Sequence, residues 1–234
     1  MIYYDFHIHS ALSPCGDKDM TPNNIVNMAA LIGLDAIAIS DHNSVGNVRA
    51  AMKVGEQVGV KVLAGMEVET AEEIHILTLY NNIEAAEEVA KIVYDALPDI
   101  KNRPEIFGNQ YYMDEEDNIV GEEEKLLISP TTIQVEDLAK LVKSVGGVVF
   151  PAHVDRHSYS ILTNRGFIPP DLDIDGIEIS KKVGDVDAYL GSRPDLEKYR
   201  YIRNSDAHYL TDIAEKDAFI TENNINELFE RRAK

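Results

Sequence analysis

The feature that most constrains this 234-residue chain is the alternation of apolar strand-like runs with amphipathic helix-like runs in its first half. Residues 2–9 (IYYDFHIH) and 34–40 (LDAIAIS) are typical of buried strands. A helix is predicted between them, because Thr21 is a suitable cap, Pro22 suits the first turn and Gly33 suits the end. Strand, helix and strand at this spacing predict an α/β protein with largely parallel strands.

The same alternation continues along the chain, with one interruption. Further helices are predicted at 44–59, 83–97, 133–147 and 225–234, and further strands at 60–70, 73–80, 148–154, 175–180 and 199–206. Residues 100–130 interrupt the pattern, since they are polar and acidic, with a hairpin turn predicted at 116–118. We interpret them as an insertion folded over one end of a single domain that spans residues 1–234.

The charge balance of the chain is strongly acidic. It has 22 basic and 41 acidic residues, a formal net charge of -19. Because nucleic acid and anionic membranes both attract basic surfaces, we expect neither long nucleic acid nor a membrane as a partner. The one cysteine, Cys15, excludes an intrachain disulfide, no signal peptide precedes the first motif, and no apolar run has the length of a membrane span. A cytoplasmic location is therefore expected.

Six of the seven histidines lie where predicted strands start or end. They are His7, His9, His42, His75, His153 and His208. His7 and His9 are two residues apart at the first strand, as are Asp206 and His208 near the last one, so each pair shares one face. Closing a parallel sheet into a barrel makes its first and last strands neighbours, and barrel sites form at the carboxyl ends of strands. The two pairs are therefore expected to converge on one site.

Imidazole and carboxylate groups in such a cluster are typical metal ligands. With only one cysteine in the chain, the donor set favours zinc, manganese or iron over a thiolate structural site. Several ions close together can clamp a phosphate and turn bound water into hydroxide. His75 and His153, each taken alone, are as compatible with a satisfied core position as with a ligand. His157 has no strand context and is expected at the surface or against substrate.

Six short motifs occur in an order that resembles one known family. They are DFHIHS, ISDHNS, GMEVET, EIHIL, PAHVDR and NSDAH, and they span residues 5–208. Together they are similar to the PHP (polymerase and histidinol phosphatase) family of metal-dependent phosphoesterases. The resemblance implies a distorted (β/α)7 barrel with two or three divalent ions at the carboxyl ends of its strands. The metal ligands that it implies are His7, His9, His42, Glu67, His75, His153, Asp206 and His208.

Three positions near these ligands leave alternatives open. Glu67 is preferred to Glu69 because it follows Gly-x, as in the family pattern. Family members often have an Asp or His shortly after the first histidine pair; here Asp17 is favoured over Cys15, because a carboxylate suits hydrolytic metals better than one thiolate. Asp41 faces away from the adjacent histidine on a strand, so it is expected to be a hydrogen-bond acceptor behind the site or a helix cap.

The implied activity is hydrolysis of a small phosphorylated metabolite, a nucleotide or a sugar phosphate, by attack of a metal-bridging hydroxide. The expected catalytic residues are Asp206, His208 and Arg156. Arg156 follows the His153 position by three residues, and its planar fork suits a terminal phosphate. The other expected substrate residues are Lys181, Lys182 and His157. Residues 107–112 (FGNQYY) either help to bind a base or ring or pack as a hairpin over the barrel end.

Other functions compete with this one. An exonuclease or oligonucleotide phosphodiesterase would use the same site on short strands. A non-catalytic metal-binding regulatory module is disfavoured, because the full ligand set is present. Histidinol-phosphate hydrolysis is not supported by the SPCGD segment, and an amidohydrolase-like barrel usually has a bridging lysine on a middle strand, where this chain has none. The oligomeric state is left open.

Overall fold

The computed structural model describes residues 1–216, 218–221, 225 and 228–229. The helices in this part are α1 (Pro22–Ile32), α2 (Val48–Val58), α3 (Ile83–Asp95), α4 (Pro104–Phe107), α5 (Val135–Ser144), α6 (Ile161–Arg165) and α7 (Val186–Gly191). The strands are β1 (Ile2–Ile8), β2 (Ala36–Ile39), β3 (Lys61–Glu69), β4 (His75–Tyr80), β5 (Tyr111–Met113), β6 (Ile119–Glu122), β7 (Val148–Pro151), β8 (Ile177–Ser180), β9 (Tyr201–Asn204) and β10 (Phe219–Ile220). Of the helix predicted at 225–234, residues 226–227 and 230–234 lie outside the described residues.

The predicted start and end signals fix the first helix. The Thr21 hydroxyl accepts a hydrogen bond from the backbone N–H of Asn24, and Pro22 opens α1. Gly33 ends the helix with φ of 87°, a left-handed conformation that glycine adopts without a steric penalty. The chain then enters β2, which lies beside β1.

Six strands form one curled, mixed sheet in the order β10-β1-β2-β3-β4-β7. β1, β2 and β3 are parallel, whereas β4 is antiparallel to both of its neighbours, β3 and β7. The expectation of largely parallel strands is therefore wrong for β4. The reason is the short connection at residues 70–74, because a parallel return to the same sheet needs a crossover of a dozen or more residues.

The parallel pair β8–β9 lies between β7 and β1. Ala207, just after β9, forms a parallel bridge to Ile8 at the end of β1. On the other side, the backbone N–H of Val154 donates to the carbonyl of Glu178 on β8 at 2.9 Å. These contacts bring the carboxyl ends of β1, β7, β8 and β9 to one region of the molecule.

Apolar side chains cover both faces of the curled sheet. The outer face packs against the helices, with Ile37 and Val62 in the larger core cluster. The inner face carries a second cluster that includes Phe6, Leu77 and Phe150. Burial on both faces explains why these strands are nearly continuous apolar runs in the sequence.

A bulge in β1 decides where its histidines point. The register between β1 and β2 shifts by one residue just before Ile8. Tyr4 and Phe6 belong to the inner core, whereas Ile8, beyond the shift, belongs to the outer core. The shift leaves His7 and His9 on the inner side, where both approach the same carboxylate.

Residues 100–130 contain α4 and the hairpin β5–β6, and they pack beside the loop that follows β1. The backbone N–H of Tyr111 donates to the carbonyl of Ala11 at 2.9 Å, and Asn43 donates from its side chain to the carbonyl of Leu127 at 2.7 Å. The hairpin turn lies at 114–118, where it was predicted, with Asp117 in the left-handed region. None of the helices that the structure describes is long and apolar enough to cross a lipid bilayer.

Candidate metal centre

Five imidazoles surround the carboxylate of Glu67, which lies near the end of β3 and is only 1% exposed. Its neighbours, each with the distance from a ring nitrogen to a carboxylate oxygen, are His7 (3.3 Å), His9 (3.4 Å), His42 (3.2 Å), His75 (2.9 Å) and His153 (3.2 Å). All five rings are buried. Glu69 shares this face of β3 one step further out, with its carboxylate 3.7 Å from Nε2 of His75.

Asp206 and His208, which follow β9, complete the cluster. Asp206 Oδ1 lies 3.0 Å from Nε2 of His9 and 3.4 Å from Nε2 of His7. The ring of His208 stacks on that of His9 with centroids 4.3 Å apart. The two pairs predicted to converge therefore lie together. We refer to Glu67, the five histidines around it, Asp206 and His208 as the Glu67 centre.

A carboxylate that was not predicted lies behind His7. Glu178, on β8, is buried and lies 2.9 Å from Nδ1 of His7, and it also accepts hydrogen bonds from the Asn204 amide and from the backbone N–H of His153. Since a carboxylate only accepts, Nδ1 of His7 carries a proton, and Nε2, which faces Glu67, is the atom that could bind a cation when the ring is neutral. The available signal was a single acidic residue inside the apolar strand IEIS.

The Ser13 hydroxyl holds His9 from behind. The Ser13 hydroxyl donates to Asp41 at 2.6 Å, so it accepts from Nδ1 of His9 at 3.0 Å. Asp41 also accepts from the hydroxyl and backbone N–H of Ser10. Asp41 is thus the acceptor behind the site, one of its two predicted roles, and not a helix cap.

This arrangement needs positive charge at its middle. Nε2 of His7 and Nε2 of His9 lie 3.3 Å apart, and both face the carboxylates of Glu67 and Asp206. Lone pairs at that distance repel unless a proton or a cation lies between them. A donor set of imidazoles and carboxylates therefore fits divalent metal ions.

Two buried imidazole nitrogens in the described part of the chain are unpaired, and one of them, on His42, also fits metal ligation. Nδ1 of His42 and Nδ1 of His153 have no hydrogen-bond partner among the residues that the structure describes. Nδ1 of His42 lies 3.2 Å from Glu67 but is not aligned for a hydrogen bond with it. Because buried polar atoms normally have a partner, the unpaired Nδ1 of His42 inside the cluster points to an ion, whereas His153 turns its Nε2 toward Glu67.

The pKa values express the same need for positive charge. Burial opposes protonation of His9, but hydrogen bonds to Asp206 and Glu67 outweigh it and raise its pKa to about 9. Burial also opposes protonation of His75, but the charge of Glu67 raises its pKa to about 9. His208 differs, since burial and the charge on His9 lower its pKa to about 4. Protons on the first two rings balance the carboxylates, and divalent cations would do the same.

Three overlapping sets of donors have their ligand atoms within 4.8 Å of one another. The sets are His7, His9, Glu67 and Asp206; His42, Glu67 and His75; and His9, Cys15, His42 and His208. Each set could hold one ion. Two of the three include Glu67, so its carboxylate could be shared by two ions.

The preference for Asp17 over Cys15 is not supported by this geometry. Cys15 belongs to the third set, whereas the carboxylate of Asp17 turns back to accept the backbone N–H of Asp19 at 2.9 Å. The backbone of Asp17 does approach the centre, since its N–H donates to the carbonyl of His208 at 2.8 Å, but its carboxylate belongs to none of the three donor sets. Cys15 is exposed and lies on the open side of the centre.

A cavity of about 230 Å³ opens above the centre. Of the predicted substrate residues, Arg156 lines it, and its guanidinium forms an ion pair with Asp206. His157 and Lys182 are exposed and do not line the cavity, and Lys181 donates to a backbone oxygen elsewhere. The two lysines follow β8, a position that suggested the mouth, but they lie in a turn that directs them elsewhere.

A larger cavity of about 910 Å³ lies elsewhere, beside Tyr4, Phe150 and Phe219. The described residues that line it include no histidine and no cysteine. The larger cavity is therefore not the candidate site. The candidate site is identified instead by the convergence of buried titratable groups.

Imidazole and carboxylate donors gathered at the carboxyl ends of curled α/β strands are the arrangement of a metal-dependent hydrolase. The sequence identifies the family of this chain, which is more specific than the class of enzyme. Residues 5–151 match the PHP domain family, so the chain belongs to that family. The predicted family is confirmed, and with it, at the level of the family, the expectation of a hydrolase of phosphoester bonds.

Two curated relatives share part of this sequence. One is phosphoribosyl 1,2-cyclic phosphate 1,2-diphosphodiesterase of Eggerthella lenta, 34% identical over 80 residues, which are 32% of this chain and 29% of that protein. The other is a 5'-3' exoribonuclease of Haemophilus influenzae, 32% identical over 79 residues, which are 32% of this chain and 28% of that protein. The matches therefore span less than a third of either relative.

Solved structures share the fold over most of this chain. The lesion-specific endonuclease Q of Pyrococcus furiosus superposes with a TM-score of 0.66 at 20% identity, over 89% of this chain and 49% of that one. A protein from Bifidobacterium adolescentis, assigned as a metal-dependent phosphoesterase, superposes with a TM-score of 0.58 at 20% identity, over 96% of this chain and 94% of that one. At these identities the likeness shows the fold alone.

The expectation that excluded long nucleic acid as a partner is wrong. Endonuclease Q, which has this fold at a TM-score of 0.62, was solved with a 27-mer duplex carrying an abasic lesion at its active site, and the Haemophilus influenzae relative is an exoribonuclease. The net charge of -19 describes the whole surface. A nucleic acid meets only the surface around the site, so total charge does not exclude it.

Proposed function

We propose that this chain is a metal-dependent phosphoesterase whose reaction takes place at the Glu67 centre. The observation that carries the proposal is one buried carboxylate within 3.4 Å of five imidazoles. Such a group has no role in core packing that an apolar side chain would not fill better, because buried charge is costly. It is the arrangement expected where several cations share one carboxylate.

The proposed ligands of two or three divalent ions are His7, His9, His42, Glu67, His75, His153, Asp206 and His208, with Cys15 on the open side. Zinc, manganese and iron suit imidazole and carboxylate donors, and a thiolate from Cys15 would favour zinc or iron among them. Such ions, when bound, neutralise phosphate oxygens and lower the pKa of a bound water.

The chain's own residues bind and orient the substrate. Arg156 lines the cavity, and its second edge can bind a phosphate while Asp206 holds the first. Nδ1 of His208 donates to the carbonyl of Asp206, so its Nε2 keeps a lone pair that can bind an ion or accept a proton. Glu178 and Ser13 fix the rings of His7 and His9 from behind.

Two substrate classes fit this site. The cavity of about 230 Å³ is large enough for a phosphate and a small attached group, which supports a phosphorylated metabolite such as a nucleotide or sugar phosphate. A nuclease that presents one phosphodiester to the centre is the second candidate, and it is supported by the exoribonuclease and endonuclease relatives.

We further infer that β1–β4 and β7–β9 form one distorted seven-stranded barrel within a single domain, with residues 100–130 as an insertion at its mouth. The bridge between Ile8 and Ala207 and the hydrogen bond between Val154 and Glu178 support the barrel. The bond from Tyr111 to Ala11 supports the position of the insertion. Limited proteolysis tests the single domain, since a stable fragment beginning or ending near residue 130 would contradict it.

A phosphate-release screen tests the function. Metal-stripped protein would receive manganese, zinc or iron with mononucleotides, sugar phosphates and 5'-phosphorylated oligonucleotides. His9→Ala should abolish release, whereas His157→Ala, a change of an exposed histidine outside the centre, should retain it. Equal activity in the two variants would overturn the proposal.

A further inference from the structure

We propose that a second cavity beside the Glu67 centre binds the base of a nucleotide whose phosphate lies at the centre. This inference rests on the proposed function and names its substrate class. The cavity has about 280 Å³, and the residues that matter in its lining are Cys15, Lys18, Asn109, Tyr111 and Tyr209.

The second cavity adjoins the first one. Cys15 lines both, so a ligand with its phosphate at the centre can extend past this side chain. The same wall is bonded to the centre itself, because the backbone N–H of Asp17 donates to the carbonyl of His208 at 2.8 Å. The loop that forms the floor of the second cavity therefore also positions a proposed metal ligand.

The side chains around the second cavity suit a nucleobase. Tyr111 and Tyr209 bring two aromatic rings, and Tyr209 is 54% exposed, so a flat ring can reach it. The Asn109 amide both donates and accepts, as the edges of bases do. Lys18 brings a positive charge to the exposed rim, where its ammonium lies 3.3 Å from the Asp19 carboxylate. A bare sugar phosphate would use neither ring.

The FGNQYY segment divides between this cavity and the interior. Gln110 is buried, where its amide donates to the carbonyl of Glu123 at 3.0 Å. Tyr112 turns inward, with its hydroxyl donating to the Glu123 carboxylate at 2.5 Å. Asn109 and Tyr111 face the cavity instead. Gln110 and Tyr112 therefore anchor the hairpin, and Asn109 and Tyr111 remain available for a ligand.

Calorimetry with two non-hydrolysable probes tests the inference. Protein loaded with Mn²⁺ would be titrated with the phosphonate analogue of adenosine 5'-phosphate and with that of ribose 5-phosphate, which lacks the base. Tyr209→Ala should weaken binding of the adenosine probe about tenfold and leave the ribose probe unchanged, because only the first stacks. Tyr209→Phe should bind both like the wild type, as should Tyr201→Ala, a change of an exposed tyrosine that lines neither cavity.

The two probes separate this inference from the proposed function. Equal weakening of both probes by Tyr209→Ala, or no weakening of either, would overturn the inference whatever the turnover. If no substrate is hydrolysed, but Tyr209→Ala still weakens binding of the adenosine probe alone, the proposed function would be overturned and the inference about the base would stand. If both proposals hold, the turnover of a mononucleotide would be compared with that of a 5'-phosphorylated tetranucleotide. The faster substrate would show whether the base belongs to a free nucleotide or to a strand end.

Discussion

At the residue scale, the charge of Glu67 is the feature on which the centre depends. Replacing Glu67 with Gln keeps the shape and removes the charge that five imidazoles share, so bound metal and hydrolysis should each fall by at least about 100-fold. Glu69→Gln is the matched control, since that carboxylate is buried on the same face but, among the residues that the structure describes, forms an ion pair with His75 only, at 3.7 Å. Elemental analysis measures bound metal, and phosphate release measures hydrolysis. Similar losses in the two variants would contradict the role of Glu67.

Glu178 acts through His7, so its effect should be smaller than that of a ligand. Glu178→Gln removes the charge that raises the pKa of His7 and weakens the hold on Nδ1. We expect metal affinity to fall by about 10–100-fold with the fold retained. Competition with a fluorescent chelator measures the affinity, and an unchanged value would contradict this account. Glu87→Gln, on the solvent side of α3, serves as the control.

The pKa of His9 predicts how metal binding varies with pH. Because the folded pKa is about 9 and the ordinary value is 6.5, the stabilisation from protonation is complete below pH 6.5 and is lost as the pH rises through 9. Metal needs the neutral ring, so affinity for Mn²⁺ should rise over that window with release of protons. Calorimetry in buffers of different ionisation enthalpy counts those protons; affinity that falls with rising pH would contradict the assignment.

The residues of the centre could be predicted to different extents. A spacing of two residues identified the pairs His7 and His9, and Asp206 and His208, because the alternation of side chains on a strand is a local property of the sequence. The choice between Cys15 and Asp17 depended on how the loop after β1 is folded, which local sequence does not encode. Glu178 was missed because one acidic residue in an apolar strand resembles an ordinary irregularity.

At the element scale, local periodicity predicted most strands and helices but not how they face one another. Alternation placed His7 and His9 on one face, but it would put Phe6 on the opposite one. The register shift in β1 turns both histidines to the side of Phe6, and a shift appears only when β1 pairs with β2. β4 runs antiparallel to β3 because the turn before it is short. The alternation of apolar residues predicts the two strands but not their relative direction.

Gly108 fixes how the 100–130 segment meets the loop that carries Cys15. A methyl group at Gly108 would lie 2.2 Å from the carbonyl oxygen of Pro14, and its φ is 99°. Gly166→Ala is the matched control, with φ of 79° and open space around it. The control should lose about 1–2 kcal/mol of unfolding free energy from backbone strain, and Gly108→Ala should lose roughly 3–4 kcal/mol. Urea denaturation measures both; equal losses would contradict the close approach.

At the scale of the whole molecule, net charge was the least reliable guide. The value of -19 predicted a protein that avoids long nucleic acid, yet a neighbour with this fold holds a DNA duplex. Composition averages over surfaces that no partner touches, whereas a site of eight residues sets the chemistry. Order of motifs along the chain was more informative than composition, because it identified the family.

Metal binding should stabilise the whole molecule. Ions bound only by the folded chain add about 2.7 kcal/mol at 100 times their Kd, which raises the Tm of a domain of this size by roughly 5–10 °C. Thermal melting of metal-stripped protein with and without Mn²⁺ measures the shift, with sodium chloride at matched ionic strength as a control for screening. His9→Ala should show a much smaller shift, and a full shift in that variant would place the bound metal elsewhere.

The most direct test of the central claim follows metal binding and hydrolysis in one titration. Metal-stripped protein would receive Mn²⁺ in steps, with bound metal and release of 4-nitrophenol from 4-nitrophenyl phosphate and its bis ester measured at each step. The account predicts that hydrolysis of at least one ester rises with bound metal in the wild type and is absent from His9→Ala. Metal bound at the centre without hydrolysis of either ester, or hydrolysis unchanged in His9→Ala, would contradict it.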